Sequence, residues 1–181
     1  ENEIEERPMG HFVEDRHLRA ALADAATAHP LVTLLHGTTV IRQTPEPGAV
    51  GIQTNAGETL RASLLVGADG RGSGTASRAG IQRIGWSYGQ TGLVAAIRHS
   101  LPHDGIARQL FWPGGPVAML PLQGNQCSIV WSEKNPQAAA ISAMADTQFL
   151  DELRPRLDGR LGSIELVGQR HCYPLSLTLA T

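Results

Sequence analysis

This chain of 181 residues has few cysteines and few aromatic residues, and it has no large excess of either positive or negative charge. Its two cysteines, Cys127 and Cys172, cannot form the framework of several disulfides that small secreted domains use, nor the Cys-x-x-Cys pair of a metal or redox site. A reducing, intracellular compartment is therefore expected. Fifteen Lys and Arg against 17 Asp and Glu leave a net charge of -2, without the basic surface that neutralises many phosphates, so we predict no nucleic-acid partner.

Long apolar runs are absent as well. None approaches the roughly 18 residues of a membrane-spanning helix, and the first residues lack the basic and apolar regions of a signal peptide. The chain begins at Glu1 rather than at a methionine and ends at Thr181 without a polar tail, so we expect a piece of a longer protein. With 41% hydrophobic residues, 20 Gly and 11 Pro, the composition is that of a loop-rich globular protein.

The hydrophobic pattern of the first 82 residues alternates strands with a helix, which is typical of an α/β unit. Apolar residues spaced three and four apart predict a helix over about 15–28. Strands are predicted over 31–36, 38–43, 50–54 and 59–62, the last two as a hairpin around Asn55-Ala56-Gly57. The continuous apolar run at 63–68 is typical of a strand buried on both faces of a parallel sheet.

From about residue 83 the pattern changes to short strand-like runs separated by Pro, Gly and His-Asp-Gly turns, which predicts an antiparallel meander. Its strands are expected at 93–98, 107–112, 117–122 and 127–132. Two short helices interrupted near Asp146 are predicted over 138–157, followed by two closing strands at 161–167 and 169–173. The chain therefore divides into a segment of residues 1–82 and a segment of residues 83–181.

The most informative segment for function is the turn after the apolar run at 63–68. Small residues there let a ligand approach the backbone, and the carboxylate of Asp69 can accept hydrogen bonds from sugar or polyol hydroxyls. A helix from about Ser73 would present its N-terminus to a pyrophosphate. The alternative is an ordinary strand, glycine turn and helix with Ser73 as N-cap, and spacing alone leaves both open.

The same segment, Gly-Ala-Asp-Gly-x-x-Ser at 67–73, resembles the "DG" motif of FAD-dependent aromatic hydroxylases of the para-hydroxybenzoate hydroxylase fold. Arg16-x-Leu18 with Leu22 resembles the Arg-x-Leu helix opening of that family. Three later blocks resemble its ubiquinone-biosynthesis branch, the polyprenylphenol hydroxylases, and lie at 88–95, 111–122 and 127–132. The blocks occur in family order over nearly the whole chain, which is far more specific than any single block.

The resemblance implies a fold of the α+β or α/β class, with part of a Rossmann-like FAD-binding domain over 1–82 and a mostly antiparallel substrate domain, with helices on one face, over 83–181. It implies hydroxylation of the aromatic ring of a polyprenylphenol-type ubiquinone precursor with FAD, NAD(P)H and O₂. The implied partners are a hydrophobic phenolic substrate, a second copy of the chain or a quinone-biosynthesis complex. The implied location is cytoplasmic and peripheral to the inner membrane.

The resemblance also assigns flavin-binding residues in the helix opening and the DG motif: Arg16, Gly67, Asp69, Gly70 and Ser73. Phe111, Met119 and Trp131 on the meander strands are expected to line an apolar substrate pocket, although strand residues of this kind more often belong to a core. No general acid or base is assigned, because the cofactor carries the difficult chemistry. No metal site is assigned either, since Pro102 keeps His99 and His103 off one helical face.

Several departures from the family pattern bear on cofactor binding. Ala76 stands where the family usually has Arg, and Arg78 points about 200° further round a helix. Leu110 stands where relatives often carry Arg. The family's Gly-x-Gly-x-x-Gly fingerprint and its Gly-Asp motif are absent from this sequence, so we expect the chain alone to hold no stoichiometric FAD. The alternative function is a catalytically silent member that binds a hydrophobic phenol or a partner protein.

Overall fold

The computed structural model describes residues 10–180, which form two compact units. The first comprises the described residues up to Arg19 together with Trp86–Leu177. The second comprises Ala20–Gly85 and the described residues from Thr178. The division into a flavin domain over 1–82 and a substrate domain over 83–181 remains a prediction.

The second unit contains a three-stranded antiparallel sheet in the order β1-β2-β3, with β1 at Val40–Glu46, β2 at Ala49–Thr54 and β3 at Thr59–Ala62. The predicted hairpin around Asn55-Ala56-Gly57 is confirmed as β2 and β3. Its turn needs glycine because Gly57 has a φ of +83°, a left-handed conformation that other residues adopt at a cost. Thr54 at the end of β2 is buried and accepts the Glu58 backbone N–H on its hydroxyl at 3.2 Å.

Two strands predicted for this unit are wrong. Residues 64–70 form no ladder with any described strand, and Leu64 and Val66 are 75% and 73% exposed. An apolar run becomes a strand only where a neighbour supplies the backbone hydrogen bonds, and the described chain places none beside it. Residues 32–35 likewise lie in a loop, after a turn in which Val32 donates its backbone N–H to His29.

One helix precedes the three-stranded sheet in sequence and another follows it. The helix α1 spans Asp15–Ala28 as predicted, with acidic Asp15 in its first turn, where the positive end of the helix dipole favours negative charge. The helix α2 spans Gly74–Arg78, and Ser73 caps it by accepting the Ala76 backbone N–H on its hydroxyl at 3.0 Å. The N-cap role considered for Ser73 is therefore confirmed.

The sheet of the first unit has five strands in the order β5-β6-β7-β4-β8. Their bounds are β4 Arg83–His99, β5 Arg108–Trp112, β6 Gly115–Pro121, β7 Gln126–Lys134 and β8 Ile164–Ala180. The β4–β7, β5–β6 and β6–β7 pairs are antiparallel, which confirms the meander for β5, β6 and β7. The predicted first strand of the meander, in β4, pairs with β7 rather than with β5. The two closing strands predicted at the end of the chain are wrong, because β8 continues through Gly168, whose φ of +77° is accommodated within the strand.

The core of the first unit lies between one face of this sheet and the helices that follow β7. These are α3 at Asn135–Ser142 and α4 at Asp146–Leu153, extended by a short 3₁₀ helix at Arg154–Leu157, so the predicted interruption near Asp146 is confirmed. Alternate residues of β7, Cys127, Ile129 and Trp131, are buried against Phe149 and its neighbours. Within residues 10–180, each helix is too short or too polar to span a lipid bilayer.

Candidate flavin and substrate sites

The Asp69 carboxylate lies on the loop between β3 and α2 and is held by the start of that helix. Its Oδ1 accepts the hydroxyl of Ser73, and its Oδ2 accepts the backbone N–H and the hydroxyl of Thr75, each at 3.0 Å. The Ser73 hydroxyl and then the Thr75 backbone N–H hold the pKa of the Asp69 carboxyl far below its ordinary value. Asp69 is therefore an ionised acceptor, with one lone-pair position on Oδ1 still open to a ligand hydroxyl.

The two glycines of this turn are required for different reasons. A Cβ on Gly67 would lie 2.8 Å from Cγ2 of Thr75, so the close approach that Gly67 permits is to the protein's own helix. Gly70 has a φ of +78°, and a Cβ there would meet nothing within 4 Å. The backbone conformation therefore selects glycine at position 70, and the space beside it is open.

Arg83, at the start of β4, is a residue of this turn that the sequence analysis missed. Its guanidinium donates to the carbonyls of Arg71 and Ser73 and to the Ser77 hydroxyl, the last at 3.3 Å. Arg78 instead reaches Gln43 Oε1 at 3.3 Å. Arg83 is one of three arginines in or after the motif, with Arg71 and Arg78, and only the folded loop shows that Arg83 is the one that holds its carbonyls.

A cavity of about 400 Å³ in the second unit lies beside this turn, and Asp69 is not among the residues that line it. Gly67, Ser73 and Thr75 form one part of its wall, and Gln43 forms another. The remaining wall is mostly apolar and includes Val50, Leu64, Leu65 and Ile81. The Asp69 carboxylate therefore faces its own helix cap rather than this cavity.

Within the first unit, a cavity of about 530 Å³ lies on the sheet face opposite the core. Residues 12–16 line one part of it, and strands β4, β6, β7 and β8 line the rest through Val94, Ala96, Leu120, Ser128 and Val167. Arg16, predicted to contact flavin, lines this cavity and pairs with Glu14 at 3.1 Å. The apolar part of the wall is of the kind that binds small molecules, and Glu14, Asp15, Gln169 and His171 add polar groups to Arg16 and Ser128.

The expectation that Phe111, Met119 and Trp131 share this pocket is wrong. Met119 and Trp131 are buried in the core at 2% and 0% exposure, whereas Phe111 is 79% exposed. Successive residues of a strand face opposite sides of the sheet, and Phe111 pairs with Pro116 while its neighbour Leu110 pairs with buried Val117. Strand alternation would have directed the prediction to Val94, Ala96 and Leu120, which occupy the cavity face.

The histidines considered as ligands instead make hydrogen bonds at turns. His99 donates from Nδ1 to the Leu101 carbonyl at 2.7 Å, which leaves Nε2 to accept from the Cys127 thiol at 3.4 Å. Burial raises the pKa of that thiol to about 11, against an opposing effect of the Arg108 charge. His103 contacts the Gly124 carbonyl at 2.8 Å through Nε2. No cluster of three metal-ligating side chains occurs within residues 10–180.

Sequence comparison places these features among known proteins. The family described as FAD binding domain matches residues 6–163. Ubiquinone hydroxylase UbiL of Rhodospirillum rubrum is 38% identical over 96% of this chain and 40% of its own length. The mitochondrial ubiquinone biosynthesis monooxygenase COQ6 of Homo sapiens is 37% identical over 79% of this chain and 33% of its own. The chain thus spans about two fifths or less of the length of these curated relatives.

Solved structures share the fold at lower sequence identity. The p-nitrophenol 4-monooxygenase PnpA of Pseudomonas putida matches 93% of this chain and 44% of its own, with a TM-score of 0.68 and 15% identity. The flavin-dependent halogenase CmlS matches 90% of this chain and 31% of its own, with a TM-score of 0.67 and 18% identity. These likenesses establish the fold, and they confirm the predicted fold class.

Proposed function

Since the chain belongs to the FAD binding domain family, as its sequence motifs predicted, we propose that it is part of a flavin-dependent monooxygenase. The proposed reaction is hydroxylation of the aromatic ring of a polyprenylphenol-type ubiquinone precursor. The observation that carries this proposal is the 38% identity with a ubiquinone hydroxylase over 96% of the chain.

FAD is the proposed cofactor, and the chemistry of the Asp69 turn fits it. Asp69 is ionised, exposed and able to accept one further hydrogen bond, which suits a ribityl hydroxyl. The open space beside Gly70 admits a ligand at the turn, and Arg83 fixes the backbone there. When bound, FAD supplies the capacity to activate O₂, which no amino-acid side chain provides.

The cavity on the sheet face opposite the core is the proposed site of the phenol. Val94, Ala96 and Leu120 would contact hydrocarbon and exclude water from the ring, and Ser128 could hydrogen-bond to a ring hydroxyl. The volume of about 530 Å³ is within the range of sites for small molecules. Arg16 at the cavity wall is the proposed contact to a nucleotide or phenolate anion.

The proposed reductant is NAD(P)H. Incorporation of one oxygen atom of O₂ into a C–H bond, with the other atom leaving as water, consumes two electrons and two protons. A hydride from NAD(P)H provides the two electrons and one proton, and solvent provides the other proton, so the balance is phenol, O₂, NAD(P)H and H⁺ giving the hydroxylated phenol, water and NAD(P)⁺.

We also propose a cellular location and binding partners for the intact protein. A polyprenylphenol carries a long hydrocarbon tail, so its enzyme would meet it at the surface of the inner membrane and act there as a peripheral protein. Exposed apolar residues of the second unit, among them Leu31, Leu64 and Val66, would suit contact with a second copy or with a quinone-biosynthesis complex.

The proposal is tested on the intact protein that contains this chain, purified and assayed with a short-chain polyprenylphenol. We expect yellow protein with close to one FAD per chain, NAD(P)H oxidation that depends on the phenol, and a product heavier by one oxygen atom taken from labelled O₂. Colourless protein that binds the phenol without oxidising NAD(P)H would instead support the catalytically silent binding module.

A pair of matched variants tests the cavity itself. Ala96 and Ala118 lie on the same face of the sheet, but only Ala96 lines the cavity. We expect Ala96→Phe to raise KM for the phenol by about tenfold or more, the loss of roughly 1.4 kcal/mol of binding. Ala118→Phe is the control and should leave KM within about twofold. Equal effects of the two variants would place the phenol elsewhere.

A further inference from the structure

A second cavity of the first unit, of about 540 Å³, is built around the buried carboxylate of Glu133. Glu133 lies two residues after Trp131 on β7, so it faces the helix side of the sheet, opposite the proposed phenol cavity. The other lining residues come from the β5–β6 turn, the start of α3 and the 3₁₀ helix: Trp112, Pro113, Gly114, Lys134, Gln137, Pro155 and Arg156. Neither the proposed flavin turn nor the proposed phenol cavity uses any of them.

The Glu133 carboxylate accepts few hydrogen bonds for an acid that is so little exposed. The residue is 6% exposed, and its Oε1 accepts the indole N–H of Trp131 at 3.2 Å. Within residues 10–180, no hydrogen bond reaches Oε2 and no basic group forms an ion pair with this carboxylate. No buried side-chain oxygen among residues 10–180 lacks a partner, so Oε2 is open to the cavity, where water or a ligand can donate to it.

Gly114 makes room for this carboxylate. A Cβ at position 114 would overlap both carboxylate oxygens of Glu133, so the acid lies directly against the turn backbone. The neighbouring walls are flat and apolar, since Pro113 and Pro155 line the cavity and the Trp112 indole is 41% exposed. The cavity therefore offers one carboxylate and flat apolar surfaces beside the polar side chains of Lys134, Gln137 and Arg156.

Two basic residues line the same cavity, and neither neutralises Glu133. Arg156 pairs with Glu152 at 3.1 Å, and its guanidinium lies 4.4 Å from the centre of the Trp131 ring. Lys134 is exposed, so water and salt screen its charge. The carboxylate of Glu133 is thus the cavity's acceptor for a positively charged ligand.

We propose that this cavity binds an alkylguanidinium group, through a hydrogen-bonded ion pair with Glu133 and stacking on Trp112. A guanidinium is planar, presents several N–H donors and is more weakly hydrated than an ammonium, which suits flat walls around one buried acid. The group could belong to a free small molecule or to an arginine side chain of a partner, and both have the same chemistry. The site stands independently of the proposed hydroxylation.

The test is a titration of the intact protein with ethylguanidinium chloride at constant ionic strength, followed by calorimetry or by the fluorescence of its tryptophans. Ethylurea is the comparison ligand, because it has nearly the same shape and carries no charge. We expect saturable binding of ethylguanidinium and at least about tenfold weaker binding of ethylurea. Equal binding of the two ligands, or no saturable binding of ethylguanidinium, would overturn the proposal without recourse to any variant.

Variants then assign the binding to Glu133. We expect Glu133→Gln, which keeps the size of the side chain and its acceptor for Trp131, to weaken ethylguanidinium binding by about tenfold or more. Glu165→Gln removes an exposed acid paired with Arg98 and should leave binding unchanged. If Glu133→Gln does not fold, Trp112→Ala replaces it, with loss of binding expected. Undiminished binding in the folded variant would refute the assignment.

A further titration with a peptide distinguishes the two possible sources of the guanidinium group. Tighter binding of the tripeptide Gly-Arg-Gly than of ethylguanidinium would indicate an arginine side chain of a partner. Binding of the tripeptide that is equal or weaker would indicate a free small molecule. Failure of the flavin assays leaves this titration unaffected, so the two proposals fail separately.

Discussion

The two units differ sharply in how they bury their apolar residues. Every member of the hydrophobic cluster found among the described residues belongs to the first unit, where Ile97, Ile129 and Trp131 are fully buried. In the second unit the one buried side chain of the described residues is Thr54, while Leu31 and Leu64 are 88% and 75% exposed. Stability should therefore reside mainly in the first unit, and the second should be governed by turns and caps.

The largest effect is expected from the core of the first unit. Phe149 on α4 is 2% exposed and its ring centre lies 5.9 Å from that of Trp131. Phe149→Ala should lower the free energy of unfolding by about 3–5 kcal/mol, through lost burial and the cavity left behind. Leu64→Ala in the second unit should change it by less than about 0.5 kcal/mol. Equal losses in chemical denaturation would show that the contrast between the units is false.

A smaller effect is expected from Arg170, which joins β8 to the two helices of the first unit. Its guanidinium donates to the carbonyls of Ile141 and Met144, the latter at 2.6 Å, and pairs with Asp146 at 3.1 Å. Arg170→Met should lower the free energy of unfolding by about 1–3 kcal/mol, because the carbonyls lose their donor.

Arg154 provides the control for that measurement. It forms a surface ion pair with Asp151 and makes no contact between elements of the kind that Arg170 makes. Arg154→Met should therefore cost less than about 1 kcal/mol. A loss as large as that of Arg170→Met would mean that charge alone, rather than the bonded carbonyls, explains the result.

Extremes of pH should change the free energy of unfolding by less than these substitutions do. The first unit should lose stability at alkaline pH and the second at acidic pH. Burial raises the pKa of Cys127, in the first unit, to about 11, so the unfolded thiol ionises first and the contribution to stability is lost as pH rises from about 9 toward 11. Hydrogen bonds lower the pKa of Asp69, in the second unit, so its contribution is present above the ordinary carboxyl pKa and is lost as pH falls below it.

Two variants check these signs in unfolding experiments across pH. Cys127→Ala should flatten the alkaline side of the stability profile and leave the acidic side unchanged. Asp69→Asn should flatten the acidic side alone. A native Cys127 that reacts with a thiol reagent as fast as exposed Cys172 at neutral pH would contradict the buried, protonated thiol.

The contrast between the units also explains what could be predicted from sequence. The β2–β3 hairpin and the succession β5–β6–β7 are local structures whose turns and alternating residues lie close together in sequence, and their predictions are confirmed. The pairing of β4 with β7 joins segments far apart in sequence and was not predicted. The strand predicted at 63–68 is not formed, because a strand needs a neighbouring strand to hydrogen-bond with, and the sequence pattern does not identify one. Its exposed apolar residues show that hydrophobicity alone does not make a strand.

The candidate sites were predicted less completely than the fold. The motif located Asp69, and the N-cap preference of Ser73 located its helix, because both follow from short-range sequence rules. Met119 and Trp131 belong to the core, because strand alternation turns their side chains toward the helices. The sequence pattern does not distinguish Glu133 from an exposed acid, because only the fold buries its carboxylate against Gly114.

The most direct test of the flavin assignment is the affinity of the intact protein for FAD when Asp69 is replaced. Asp69→Ala removes an exposed carboxylate, and Asp24→Ala, an exposed acid of the same unit, is the control. The account predicts that Asp69→Ala raises the Kd for FAD by about tenfold or more, because a ribityl hydroxyl loses its acceptor, while Asp24→Ala leaves it unchanged. Unchanged FAD affinity in a folded Asp69→Ala protein would show that the motif is only a helix-capping turn.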